Sequence, residues 1–181
     1  MIAYCSGDIL ETLFDAIVIP VNCVGVMGKG LALSAKKKYP KNYEFYQKHC
    51  HVDKLPVNLF EDHTPLLSFF PGTIACFEEN DKVIVNFTTK NHWRNPSKLK
   101  WIRDGIEELA NEINYRSTIN EVDYSCAYPK WKSYLAIPRE IKSIAIPKLG
   151  CGLGGLKWKQ VAPIIESLDD MVKCDIGIYT R

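Results

Sequence analysis

Two glycine-rich segments and one short polar cluster carry the residue types that could do chemistry in this 181-residue chain. The first segment, Val21-Asn22-Cys23-Val24-Gly25-Val26-Met27-Gly28-Lys29-Gly30, follows an apolar run and leads into a helical pattern. Glycine permits positive φ and a close approach of backbone N–H groups to a ligand, and a helix start adds partial positive charge suited to phosphate. The second segment, Pro147-Lys148-Leu149-Gly150-Cys151-Gly152-Leu153-Gly154-Gly155, again lies between a predicted strand and a predicted helix. Two such loops could cradle the two phosphates of a diphosphate from opposite sides, whereas either alone could simply be a tight turn. Neither is read as the dinucleotide fingerprint with its downstream acid, and Lys29 lacks the hydroxyl neighbour of a P-loop, which argues against a dehydrogenase or a kinase.

The polar cluster, Asn86-Phe87-Thr88-Thr89-Lys90-Asn91-His92-Trp93-Arg94, follows an apolar run that begins at Val83. An α/β sheet presents side chains to ligands at this kind of strand end. Lys90 and Arg94 supply positive charge and Trp93 a stacking surface, although a solvated loop with one anchoring aromatic has the same composition.

The elements that must position these segments follow from periodicity. Short apolar or alternating runs at Ile2–Cys5, Ala16–Val21, Gly72–Phe77, Val83–Phe87, Ile144–Pro147 and Ile176–Tyr179 predict strands. Helical patterns fall at Lys29–Lys38, Asn42–His51 and Ser97–Asn114, and a last one starts near Trp158 with Val161, Ile164, Ile165 and Leu168 on its buried face. In the third helix Leu99, Ile102, Ile106, Leu109 and Ile113 recur at three- and four-residue steps, with Ser97 as the expected N-cap. Alternation of strands and helices predicts a mixed or parallel sheet covered on both faces. Residues 115–142, with Tyr115, Tyr124, Tyr128, Trp131 and Tyr134, are too long for a simple connection and are expected to form an insertion against the surface.

Composition bounds the rest. Hydrophobic residues make up 46% and charged residues 24%, which fits one globular domain and excludes low-complexity or collagen-like structure. Lys and Arg number 23 against 21 Asp and Glu, so any affinity for nucleic acid must come from a local patch. Seven cysteines without paired CxxC spacing predict reduced thiols. The chain has neither a signal-peptide pattern nor an apolar run long enough to span a bilayer, so a cytoplasmic protein without membrane contact is expected.

Four motifs in order carry a family resemblance: Gly7-Asp8-Ile9, VNCVGVMGKGLAL at 21–33, NFTTKNHWR at 86–94 and IPKLGCGLGGLKW at 146–158. Together they resemble a macrodomain, and more narrowly the DarG-type DNA ADP-ribosyl glycohydrolase macrodomains that act as antitoxins against DarT toxins; residues 115–142 stay unmatched. The resemblance implies a single macrodomain over residues 1–181. Its expected fold is a three-layer α/β/α sandwich with a mixed, mostly parallel central sheet. ADP-ribose would be ligand and product, with no cofactor and no metal.

By the same resemblance Asp8 accepts a hydrogen bond from the adenine amino group, Ile9 offers its N–H and an apolar wall to the base, and Asn22 lies beside the distal ribose. Gly28, Lys29, Gly30 and Leu31 belong to the first phosphate loop, and Gly150, Cys151, Gly152, Leu153 and Gly154 to the second. Lys90 matches the catalytic lysine of the DNA-directed and glutamate-directed hydrolases. An amine there could attack the anomeric carbon once its pKa is lowered, or could stabilise charge as the glycosidic bond breaks.

Glutamate-directed relatives add an aspartate in the second glycine loop, and no carboxylate lies between Gly150 and Trp158 here. The implied reaction is therefore hydrolysis of the link between ADP-ribose and thymine in single-stranded DNA, with His92, Trp93 and Arg94 holding the DNA. Expected partners are ADP-ribosylated single-stranded DNA and a DarT-like toxin. The alternatives are an ADP-ribose reader, or a hydrolase of ADP-ribosylated protein or of a small ADP-ribose derivative. Antitoxins of this kind carry a second, toxin-contacting domain, so the chain is expected to be part of a longer protein or a free-standing enzyme.

Several residues have plainer readings. Cys23 and Cys151 have no neighbouring histidine to activate them and read as small apolar residues. His49-Cys50-His51 could bind zinc but reads as a helix end with surface histidines, because adjacent helical residues point in different directions. Lys36-Lys37-Lys38 with Lys41 reads as a charged helix end, with DNA contact as the alternative. Trp101 and Trp158 read as core.

Overall fold

The computed structural model describes residues 1–50, 69–118 and 136–180. Among them lie six strands, β1 (Ile2–Cys5), β2 (Ala16–Asn22), β3 (Ile74–Glu79), β4 (Lys82–Lys90), β5 (Ser143–Pro147) and β6 (Asp175–Tyr179). Four α-helices accompany them: α1 (Gly30–Lys38), α2 (Pro40–Cys50), α3 (Leu99–Thr118) and α4 (Trp158–Glu166). The sheet order is β1-β6-β5-β2-β4-β3, and every pairing is parallel except that of β3 with β4. The antiparallel pair is joined at Asn80 and Asp81, both at positive φ, as a two-residue hairpin turn requires.

The strand sequences explain the layering. In β2, Ala16 and Val18 face one core cluster with Ile102, Ile106, Leu109 and Ile113 of α3 and Val161 and Ile165 of α4. Ile17, Ile19 and Val21 face the other cluster, with Ala35 of α1 and Tyr46 of α2. A strand buried on both sides needs apolar residues at nearly every position, which is why β2 reads as a continuous run and not as an alternation. The expected three-layer sandwich with a mixed, mostly parallel sheet is the observed architecture.

α3 lies directly on β4. A β carbon at Gly105 would come 2.3 Å from the Phe87 ring. Gly105→Ala should therefore cost about 1–3 kcal/mol through overpacking, read as a lower midpoint in urea denaturation. On the opposite face, Asn42 of α2 and Asn86 of β4 exchange amide hydrogen bonds of 3.2 and 2.7 Å in the buried interior. That pairing satisfies two polar groups that burial would otherwise penalise, and it fixes α2 on the sheet.

Three expectations are corrected. Ser97 is not the cap of α3: the helix starts at Leu99, the Lys98 carbonyl accepts from the Ile102 amide, and the Ser97 hydroxyl is buried without a partner among the described residues. The 115–142 segment is not wholly a surface insertion, since α3 runs on to Thr118 and Ala136, Ile137 and Ile141 are buried. Tyr124, Tyr128, Trp131 and Tyr134 lie outside the described residues. Trp101 is half-buried and stays out of both core clusters, whereas Trp158 packs against the first.

Candidate functional site

β5, β2 and β4 are consecutive in the sheet and parallel, so their carboxyl ends lie side by side. This order brings together three segments far apart in the chain: the loop after β2, the loop after β5 and the end of β4. A crevice at such strand ends is where open α/β sheets take ligands.

The first loop is organised by Asn22. Its side-chain oxygen accepts from the amides of Val24 and Val26 at 3.0 and 3.4 Å and from the Tyr46 hydroxyl at 3.0 Å, while its amide nitrogen donates to the Val26 carbonyl at 2.6 Å. The expected place of Asn22 beside a ribose is thereby modified: most of its hydrogen-bonding capacity is spent on its own loop. Gly25 is held from α2, where Tyr43 and Gln47 donate to its carbonyl. Gly28, Lys29 and Gly30 are exposed, and their amides make no internal hydrogen bond among the described residues. Gly30 sits at φ +57, which favours glycine where α1 begins. Leu31, in the first turn of α1, is half-buried against the second cluster.

The second loop turns back on itself through hydrogen bonds from Cys151 to Lys148, Gly155 to Gly152 and Leu156 to Gly150. Among the described residues the amides of Gly152, Leu153 and Gly154 have no internal partner, a row of donors suited to an anion. Beneath the loop, the Ser97 amide donates to the Gly154 carbonyl at 2.9 Å. A β carbon at residue 154 would come 2.2 Å from the Gly150 carbonyl oxygen and 2.4 Å from the Ser97 hydroxyl, so only glycine fits.

Lys90 connects the two loops. On the main chain, Cys23 donates from its amide to the Asn91 carbonyl at 3.1 Å and from its thiol to the Lys90 carbonyl at 3.2 Å. On the side chain, the Lys90 amine donates to the Leu153 carbonyl of the second loop. Desolvation lowers the Lys90 pKa from its ordinary value. The cysteines go the other way: burial pushes the Cys23 thiol up to about 12 and raises that of Cys151. Neither is an activated nucleophile.

Beyond Lys90 the chain forms a stacked trio. The His92 and Trp93 rings are 5.2 Å apart, and the Arg94 guanidinium lies 4.5 Å from the Trp93 centroid, with Trp93 itself 47% exposed. Asp8 stands past the end of β1, exposed, with one carboxylate oxygen capping the Leu10 amide at 2.9 Å. Ile9 is 6% exposed and packs into the second core cluster, so its side chain is not the expected wall for a base and only its backbone is offered.

His49 is pressed against the Phe45 and Phe69 rings, and His51 lies outside the described residues. Lys38 is engaged with Glu11 at 2.8 Å and Lys36 lies over the Tyr43 ring, so that basic run is largely structural. Sequence reasoning missed Ser97 as a support of the second loop, because a serine just before a helix reads first as a cap.

Two loops with amides unpaired among the described residues thus flank Lys90 at the carboxyl edge of an α/β/α sandwich. A family model for the Macro domain matches residues 74–165, and the chain belongs to that family. It is 35% identical over 181 residues to the DNA ADP-ribosyl glycohydrolase of Mycobacterium tuberculosis, covering 99% of this chain and 42% of that protein. The solved macrodomain of Mycobacterium tuberculosis DarG superposes with a TM-score of 0.75 at 34% identity, over 99% of this chain and 97% of that one. Thermosipho africanus DarTG, solved in complex with ADP-ribose, gives a TM-score of 0.70 at 26% identity over 97% of this chain and 40% of that one. The chain thus spans about two-fifths of the length of the first curated relatives it matches. Among the described residues no helix is long and apolar enough to cross a membrane.

Proposed function

We propose that this macrodomain is an ADP-ribosyl glycohydrolase that removes ADP-ribose from thymidine in single-stranded DNA. The observation that carries the reading is the position of Lys90, tied by its main chain to one glycine loop and by its amine to the other. A diphosphate held between the amides of Gly28, Lys29 and Gly30 and those of Gly152, Leu153 and Gly154 brings the distal ribose to that amine. Leu31 and Cys151 flank these donors. The second oxygen of Asp8 takes the adenine amino group, and Asn22 keeps at most one N–H for a ribose hydroxyl.

The names of the Mycobacterium tuberculosis relative and of the ADP-ribose complex support the ligand and the reaction. The absence of any carboxylate between Gly150 and Trp158 favours DNA over a glutamate-linked substrate. His92, Trp93 and Arg94 face the nucleotide side. A DarT-like toxin is the proposed protein partner, supported by the DarTG neighbour.

In the mechanism, the neutral amine of Lys90 attacks the anomeric carbon of the distal ribose. As the bond to the thymine nitrogen breaks, its electron pair goes to the base, which takes up the proton lost by the attacking amine; water then adds at the ribosyl carbon, releasing ADP-ribose and restoring the amine. The lowered pKa of Lys90 sets the pH dependence. The unprotonated fraction grows as pH rises, so turnover should rise with pH through a midpoint below the ordinary lysine value of about 10.4 and level off above that midpoint. A rate that falls over that range would mean that the ammonium form acts by electrostatic stabilisation. Supplying an ADP-ribosylated thymidine oligonucleotide beside a glutamate-ADP-ribosylated peptide tests the substrate: release from the oligonucleotide alone is expected. Release from the peptide alone would move the enzyme to the protein-directed class, and ADP-ribose binding without release from either would make it a reader.

A further inference from the structure

Phe70 is an apolar side chain held out into solvent on a fixed backbone. It is 59% exposed, while its carbonyl accepts from the Thr88 hydroxyl at 2.6 Å, the Thr73 hydroxyl at 2.8 Å and the Thr73 amide at 3.2 Å. The turn that carries it abuts the first turn of α3: a β carbon at Gly72 would lie 3.2 Å from the Trp101 carbonyl oxygen. Trp101 is half-buried, and the Lys98 amine lies 4.9 Å from its ring centroid. In the turn that precedes α3, Arg94 lies over the exposed Trp93.

Among the described residues neither Arg94 nor Lys98 pairs with a carboxylate, unlike Lys100, which bonds Asp104 at 2.6 Å. The segment from 93 to 101 is anchored to the active crevice through the Ser97 amide, which holds Gly154 of the second loop.

We propose that Trp93 with Arg94, Trp101 with Lys98, and Phe70 form a track for the unmodified nucleotides that flank the thymidine at Lys90. The inference rests on the DNA-directed reading above. Uncompensated cations alternating with aromatic faces suit a polyanion whose bases are free to stack, which is a single strand. A duplex hides its base faces, and an acidic peptide would use the cations but leave the aromatic faces empty.

The test is fluorescence anisotropy with a labelled, unmodified single-stranded oligonucleotide of about ten nucleotides, titrated with wild type, Phe70→Ala and Lys98→Ala. Phe70→Ala should weaken binding roughly tenfold, and Lys98→Ala should weaken it and reduce the salt slope by about 0.7. Affinity for free ADP-ribose, measured by calorimetry, should be unchanged, because the Lys98 amine is directed to the Trp101 ring and the Phe70 side chain projects into solvent. Absence of binding by the wild type, or equal binding by all three proteins, overturns the track. Strand binding through these residues without ADP-ribose release would overturn the glycohydrolase reading and leave the track standing. Release from modified DNA with unaltered variants would do the reverse.

Discussion

Lys90→Ala should lose turnover of an ADP-ribosylated oligonucleotide by about 10³-fold or more, while its affinity for free ADP-ribose stays within about twofold of wild type. The asymmetry follows from where the lysine's contacts run. Its main-chain carbonyl takes the Cys23 thiol, a contact that alanine keeps, while its amine reaches the Leu153 carbonyl at the surface of the second loop. Removing the amine therefore takes away the reacting group without removing the amides expected to hold the diphosphate. Single-turnover rates with calorimetry on the same preparation separate the two effects. Comparable loss of both would mean that Lys90 supports the loop and does not act on the ribose.

The second large effect is expected at Gly154. An alanine there would place its β carbon 2.2 Å from the Gly150 carbonyl oxygen and 2.4 Å from the Ser97 hydroxyl, so the loop has to open. Each displaced amide forfeits a charge-assisted hydrogen bond to phosphate, and loss of one is worth about ten- to a hundredfold in affinity. Gly152→Ala is the control, because a β carbon at that position meets nothing within 4 Å. It should fold with an unchanged melting temperature, so any loss of ADP-ribose affinity in it comes from contact with the ligand itself. Equal affinities for wild type and Gly154→Ala would remove the second loop from the ligand site.

Much of this arrangement was legible in the residues. The doubly buried strand at Ala16 and the three- and four-residue rhythm of Ile102, Ile106, Leu109 and Ile113 reflect burial, which sequence pattern reports directly. The glycine loops were legible because left-handed backbone favours glycine, as Gly150 at φ +69 and Gly155 at φ +77 bear out. Their meaning was less so. Gly150, Gly152 and Gly155 in fact reproduce the G-x-G-x-x-G spacing, which the reading of the loop set aside. What distinguishes the site is the sheet order that seats this loop beside the end of β2, and order across a sheet leaves no local signal.

The end of β4 was drawn too early for a related reason. Thr88 and Thr89 look like loop residues after Phe87, yet their hydroxyls find the carbonyls of Phe70 and Val21, and the strand runs on to Lys90. The Lys90 amine thus stands on the last residue of a paired strand, which positions it more firmly than a loop would. Asn22 is expected beside a ribose, yet most of its hydrogen bonds go to its own loop; Ser97 is expected as a helix cap, yet its amide holds Gly154, and such partners leave no local sequence signal.

The most direct test of the central claim is a mass-spectrometric time course of a thymidine-ADP-ribosylated single-stranded oligonucleotide with the wild-type protein. Conversion to the unmodified strand with stoichiometric release of free ADP-ribose is expected. A strand that keeps its modification while the protein binds ADP-ribose would contradict it.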